Sequence, residues 1–323
     1  MARLGVVLLN LGGPATLDDV EPYLHELFSD PLLLTLPRGV GWLRPLLARL
    51  ISRRRAPESR ENYRKIGGGS PILAHTRAQA EALEKELVRR GHDARVTIAM
   101  RAWHPRADVA AKEMVEAGVE RGVLVPLYPQ YARVTTLSAF LDFEAAWRRV
   151  SDERVRWGKV RSYPTHAGWI AAVTADVKEA LAAVPDREKA ALFFSAHGLP
   201  VRQARHPQET YQQEVEATVR AVVAHLGWRG RWHLGYQSRV GPMKWLGPDV
   251  EEVIDTMARE GTTDAVVYPI TFTSDHSETL YELDLLYGEK ARAKGLRWHR
   301  VRALNGSPAF ASALADLVEA NVP

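Results

Sequence analysis

The sequence has no cysteine in 323 residues. That excludes disulfides, zinc ribbons, thiol nucleophiles and any iron–sulfur cluster held by cysteine. No apolar run approaches the ~18 residues that mark a transmembrane helix. The apolar start from Met1 to Asn10 stops at Gly12-Gly13-Pro14, too soon for a signal peptide, so a cytoplasmic protein is expected. The phosphate fingerprints G-x-G-x-x-G and G-x-x-x-x-G-K-[ST] are missing, as is the nucleophile elbow G-x-S-x-G. What is present is an ordinary globular mixture, 46% hydrophobic and 25% charged, which leaves no room for a disordered or collagenous chain. Charge is nearly balanced at +4 but unevenly spread. From Arg38 to Lys65 nine basic residues meet two acidic ones, a local +7, so the remainder carries −3. Such a run is a solvated face, or it meets an acidic ligand, an anionic lipid or nucleic acid.

Short apolar runs recur, each followed by a longer amphipathic stretch. Strands are expected at 5–9, 95–100, 123–127, 155–160, 190–195, 232–236, 265–270 and 297–301. Helices are expected at 18–28, with Thr16 as a candidate cap, and at 78–89, 107–117, 137–149, 169–183, 209–226, 250–260, 278–294 and 309–322. This alternation spells βαβ units and parallel sheets. The fold class expected is α/β, with two Rossmann-like halves, each a parallel sheet flanked by helices. The division expected is 1–165 and 166–323, the last helix packing back on the first half. Residues 31–69 interrupt the rhythm with an apolar patch (Leu32 to Leu36, Trp42 to Ile51) followed by the basic run, and are expected to form a lip.

Ligands of open α/β sheets bind beyond the carboxyl ends of strands. Asn10-Leu11-Gly12-Gly13-Pro14 follows the first strand as a βα turn or a ligand loop. Gly67-Gly68-Gly69 is a hinge or a backbone nest for an anion. Ser195-Ala196-His197-Gly198 places a histidine at a strand end, as a ligand-facing group or a structural one. The stretch Thr271–Asp284 follows another strand. Ser274 or Asp275 is a candidate cap, and Glu278 and Glu282 share a helix face at i, i+4, where they repel unless a cation or proton joins them. With His197 they make a His/carboxylate set suited to a loosely held divalent ion rather than a closed four-ligand zinc site. Tyr236, Met243 and Trp245 are core, or the wall of a site for a planar ligand.

Six motifs in this order resemble the ferrochelatase family over nearly the whole chain: Leu9–Pro14, Tyr63–Ile72, Tyr128–Tyr131, Ser195–Pro200, Tyr236–Pro242 and Ser274–Leu280. The resemblance implies two Rossmann-like halves with a porphyrin in a cleft between them, and insertion of Fe²⁺ into that porphyrin. It places the catalytic and metal-handling pair on His197 and Glu278, support on Asp275 and His276, and a continuing acidic path on Glu282. Porphyrin contacts fall on Leu11, Arg55, Tyr63, Ser70, Arg101, Tyr131 and Trp245, with Arg55 and Arg101 as partners for propionates. Leu24, Leu27 and residues 31–51 match an apolar lip. Ala102 stands where many relatives carry Tyr, and 132–138 is bulkier than usual, which bears on porphyrin grip rather than on the reaction.

The partners implied are porphyrin and ferrous iron as substrates, with no permanent cofactor and no nucleic acid. Residues 31–55 are expected to touch an anionic membrane peripherally. His197 is expected to be neutral and to accept pyrrole protons or hand iron to the ring, and Glu278, with His276 and Glu282, to carry protons away or guide Fe²⁺ in. The details of the lip resemble relatives that use protoporphyrin IX. Alternatives are coproporphyrin III as substrate, a cobalt or nickel chelatase acting on a sirohydrochlorin-like ring, and a non-catalytic tetrapyrrole carrier.

Overall fold

The computed structural model describes residues 3–37, 39–151, 155–239, 241 and 243–323. Arg38, at the head of the basic run, and Val240 and Pro242, in the fifth motif, lie outside the described residues. The chain divides into two compact units: Met1–Tyr128 with Ala132–Ser162 and Gly306–Pro323, and Pro129–Tyr131 with Tyr163–Asn305.

The first unit is built on β1 (Leu4–Asn10), whose seven residues are all buried. Such unbroken apolar runs belong to parallel strands covered on both faces. After α1 (Val20–Ser29), α2 (Arg44–Lys65) and α3 (Ile72–Arg89) come β2 (Ala94–Met100), α4 (Ala107–Glu116) and β3 (Arg121–Pro126). A π-helical turn at Arg133–Leu137 leads into α5 (Ser138–Val150) and β4 (Arg156–Lys159). The sheet is parallel in the order β2-β1-β3-β4. Met114, Phe140, Phe143 and Trp147 form the core on the face covered by α4 and α5.

The expected lip is largely a regular helix. α2 runs for 22 residues, about 33 Å, despite Pro57 in its interior. Its buried residues, Ala48, Ser52, Ala56 and Tyr63, are mostly small and one or two turns apart, which lets α1 pack closely. Arg53 and Arg60 both pair with Glu21 of α1, so part of the basic run is spent within the unit. The three glycines are not an anion nest. Gly67 and Gly68 adopt left-handed backbone and donate their N–H groups to Arg64 and Tyr63, closing the end of α2.

The second unit repeats the pattern: α6 (Ala167–Ala182), β5 (Ala190–His197), the single turn α7 (Val201–Ala204), α8 (Tyr211–Leu226), β6 (Arg231–Gln237), α9 (Val250–Arg259) and β7 (Asp264–Pro269). A π-helical segment, Glu278–Tyr287, then runs into α10 (Gly288–Ala293) and β8 (Arg297–Arg300). Its sheet is parallel in the order β6-β5-β7-β8. The last helix, α11 (Pro308–Asn321), belongs to the first unit and packs on α3, where Arg90 reaches Asp316 and Glu319, each at 2.7 Å. In each unit successive connections leave the central strand in opposite directions. The topological switch points therefore lie at the ends of β1 and β3, and of β5 and β7.

Candidate active site at the end of the fifth and seventh strands

His197 is the last residue of β5, and Glu278 opens the π-helical segment after β7. The β5/β7 switch point brings them together, with His197 Nδ1 2.6 Å from Glu278 Oε2. The His197 main chain is pinned from both sides. Its N–H donates to Thr271 Oγ1 at 3.1 Å, and Tyr211 donates its hydroxyl to the His197 carbonyl at 2.7 Å. The imidazole edge stays open, with the side chain 38% exposed. His276 Nε2 lies 3.6 Å from the other oxygen of Glu278, while its Nδ1 faces the Ser274 carbonyl at 3.0 Å. The Phe272 ring stands edge-on to both imidazoles.

Burial alone would lower the His197 pKa, but the charge and hydrogen bond of Glu278 outweigh it and raise it above the ordinary histidine value. The expected apolar surroundings of His197 are thus only part of its environment: Glu278 makes it a stronger base than burial alone would allow. His276 is raised in the same way. Burial would raise Glu278, but His197 and His276 hold its carboxyl well below the usual range. Glu282 goes the other way. Burial, then the charge of Glu278, push it up to about 7.

Neither Ser274 nor Asp275 caps the following helix as expected, since the segment starts at Ser277 without a side-chain cap. Instead Asp275 accepts from Thr279 Oγ1 at 2.9 Å and from Asn305 Nδ2 at 3.0 Å. Burial opposes its ionisation, but Arg300 and these donors hold its pKa below the ordinary value. Glu278 and Glu282 do share a face, and Ser238 joins them: its Oγ is 2.8 Å from Glu278 Oε2 and 2.8 Å from Glu282 Oε2. Gln237 supports both, donating Nε2 to the Glu278 carbonyl at 3.0 Å and to Glu282 Oε2 at 3.2 Å. The Gln237 side-chain oxygen accepts from Ser195 at 2.6 Å. Among the described residues no three of His, Asp and Glu cluster so as to hold a metal ion. The pair offers a passing cation two donors, not a cage.

Other expected residues fall into two groups. In the first unit, Leu11 and Tyr63 pack in the cluster built on Val20, Tyr23 and Leu24. Arg55 lays its guanidinium 5.6 Å over the Phe28 ring. Ser70 sits against Gly13 and donates its N–H to Pro14 at 2.8 Å. Arg101 is already engaged, with Nη2 3.0 Å from Asp30 and Nε donating to Ser138 at 2.7 Å. In the second unit, Tyr131 is buried and its N–H donates to Glu214 at 2.8 Å. Trp245 bridges to Pro200 and lies against Gly198, one residue from His197. Tyr236 is core, and Met243 is exposed.

Sequence reasoning did not single out Gln237, Ser238, Tyr211 or Thr271 for the site. The first two lay within a quoted motif. Register was the missing signal, since β5 and β6 align His197 with Gln237.

The ferrochelatase family profile matches residues 3–322. A ferrochelatase of Synechocystis sp. (strain ATCC 27184 / PCC 6803 / Kazusa) is 42% identical over 320 residues, 98% of this chain and 82% of its own. A ferrochelatase of Synechococcus elongatus is 42% identical over 321 residues, 99% of this chain and 82% of its own. Among solved structures, SirB from Bacillus subtilis with Fe³⁺ aligns at TM-score 0.58 and 12% identity, covering 98% of this chain and 94% of its own. DR2241 from Deinococcus radiodurans aligns at TM-score 0.55 and 14% identity, covering 98% of this chain and 55% of its own. These two likenesses concern the fold. The profile and the two cyanobacterial relatives, taken with the site above, show that the chain belongs to the ferrochelatase family.

Proposed function

We propose that this chain inserts Fe²⁺ into protoporphyrin IX to give protoheme, with His197 and Glu278 at the reacting atoms. The observation that carries the reading is the 2.6 Å His197–Glu278 pair, backed by Glu282 with a pKa of about 7. Insertion replaces two pyrrole N–H protons with one divalent ion. Neutral His197 donates Nδ1–H to Glu278 and turns Nε2 toward a pyrrole proton. Glu278 stabilises the imidazolium that forms, the role a carboxylate plays behind a general base. Ser238 and Glu282 then take the proton outward. Iron enters as substrate, drawn by the same carboxylates, and leaves in the ring.

Leu11, Arg55, Tyr63, Ser70, Tyr131 and Trp245 are proposed to hold the porphyrin, with Arg55 pairing a propionate. Arg101 stays with Asp30, so it adds little for further carboxylates. This supports protoporphyrin over the more heavily carboxylated coproporphyrin III. No helix among the described residues is long and apolar enough to cross a membrane. Trp42, Leu46 and Leu50 are 76%, 65% and 64% exposed beside Arg49 and Arg54, which supports peripheral contact with anionic lipid. Introducing carboxylates by L46E/L50E should abolish co-sedimentation with phosphatidylserine vesicles, and unchanged binding refutes the contact.

The functional test is optical measurement of porphyrin metalation. His197→Ala and Glu278→Gln should lower turnover at least ~100-fold, the scale of a general base, while porphyrin fluorescence titration still shows binding. Wild-type rates in both variants overturn the assignment.

A further inference from the structure

The side chains of β8 divide by face, as alternate residues of a strand must. Arg297 and His299 both reach Asp264. Trp298 and Arg300 both reach the π-helical segment. Trp298 donates Nε1–H to the Leu283 carbonyl at 2.9 Å, an oxygen that also accepts the Gly288 N–H five residues on. Arg300 lies with its side chain 10% exposed and forks onto Asp284, Nε to Oδ1 at 2.6 Å and Nη2 to Oδ2 at 2.7 Å. Its Nη1 reaches Asp275 Oδ1 at 2.6 Å.

Asp275 stands just before the segment and Asp284 stands within it, two residues after Glu282. One guanidinium therefore ties together the two ends of the stretch that carries Glu278 and Glu282. π-Helical backbone is rare and is found frequently at functional sites. A bidentate guanidinium–carboxylate pair fixes direction as well as distance, and a lysine cannot reproduce it.

We infer that Arg300 is a positioning residue for metal insertion: by clamping Asp275 to Asp284 it holds the widened turn in which Glu278 and Glu282 converge on the Ser238 hydroxyl. This rests on the functional reading above. Arg300 touches no substrate in this role; it acts through the backbone that carries two carboxylates.

The test uses Arg300→Met, Arg300→Lys and Asp284→Asn in the full chain. Each is assayed for kcat and KM with Fe²⁺ and protoporphyrin IX and for amide hydrogen exchange. Asp284→Asn breaks the fork's charge while leaving the Asp275 contact. It should lower kcat roughly 10- to 100-fold, the scale for a group that orients a metal-handling side chain, with porphyrin KM unchanged. Exchange should quicken across 278–287 and not in β5 or β6. Arg300→Lys should recover part of the kcat lost in Arg300→Met. A folded Asp284→Asn with wild-type kcat overturns the inference. So does a fall in melting temperature with kcat intact, or a porphyrin KM that rises as kcat falls. If Arg300→Met does not fold, Asp284→Asn decides alone. If the wild type inserts no metal, the functional reading fails, and unaltered exchange over 278–287 still refutes the clamp.

Discussion

Ser238 offers the sharpest handle on proton movement. Its Oγ stands 2.8 Å from both Glu278 Oε2 and Glu282 Oε2. A hydroxyl has one proton and donates to one carboxylate at a time. The second short contact needs a proton from the other side, and Glu282, pushed up to about 7 by burial and by Glu278, can supply it. Ser238 also sits in left-handed backbone, with φ 62°. Glycine at 238 deletes the hydroxyl and relieves that backbone. Alanine deletes the hydroxyl and keeps the left-handed cost, about 1–2 kcal/mol. A hydrogen bond to a charged group is worth about 1.5–3 kcal/mol, and one pKa unit about 1.4 kcal/mol, so the pKa should move by ~1–2 units. The direction follows from which form the hydroxyl favours. Once Glu282 is ionised, Ser238 turns its proton to that carboxylate and so lowers the Glu282 pKa; removal of the hydroxyl raises it further. The proton-accepting form is the ionised one. The acid limb of the kcat profile should therefore shift upward by ~1–2 units in Ser238→Gly. At pH 7 this shift should lower the rate roughly 10-fold, and that part of the loss should be recovered by pH 9. The assay is continuous metalation from pH 5.5 to 9.5, with thermal melts to compare Ser238→Gly and Ser238→Ala. A glycine profile whose acid limb superimposes on wild type refutes the hold of Ser238 on Glu282.

Asp264 is fully buried and held by Arg297, His299 and Thr263, with Arg297 the largest influence lowering its pKa well below the carboxylate range. Its stabilisation is present above the ordinary carboxylate pKa and is lost as pH falls through the depressed value, so Asp264→Asn should cost about 1.5–3 kcal/mol at pH 7 and progressively less in strong acid. Equal melting temperatures at pH 7 would refute this. At Gly69 an added Cβ would fall 2.1 Å from the Ala15 carbonyl oxygen, a backbone atom that cannot swing aside. Gly69→Ala should cost about 1–3 kcal/mol and raise porphyrin KM by displacing Ser70 from Pro14. A variant with unchanged melting temperature and unchanged KM would count against that packing.

Strands were the most legible features. β1, β5 and β7 are apolar along nearly their whole length, and that pattern needs no tertiary context. His197 and the Asp275–Glu282 stretch were legible for a related reason, since polar residues directly after such strands lie where open sheets bind ligands. Legibility failed where meaning depended on a distant partner. α2 was expected only as part of a lip because residues 31–69 interrupt the βα rhythm with an apolar patch and a basic run. The face that makes it a packed helix consists mostly of small residues, Ala48, Ser52 and Ala56, which carry little hydrophobic signal. The Gly67–Gly69 run allowed a hinge or a nest, because glycine permits both. Whether its N–H groups face a ligand or close a helix is decided by carbonyls at Tyr63 and Arg64.

The π-helical segment marks the deeper limit. Glu278 and Glu282 four residues apart fit an α-helix, and nothing in 278–287 distinguishes hydrogen bonds to the fifth residue from bonds to the fourth. The choice is made from outside, by Trp298 on Leu283 and by Arg300 on Asp275 and Asp284. The chemistry depends on it. In this widened turn both carboxylates reach one hydroxyl, so burial and mutual repulsion lift Glu282 to about 7 while two histidines hold Glu278 down. Environments that push neighbouring carboxyls apart are how one site assigns different acid–base roles to like groups. If the clamp on β8 were loosened, Glu282 should drift toward water and an ordinary carboxylate pKa while Glu278 kept its histidines. In Asp284→Asn the acid limb should therefore move to lower pH even as kcat falls, opposite in sign to Ser238→Gly. Parallel shifts in the two variants would show that Glu282 does not set that limb.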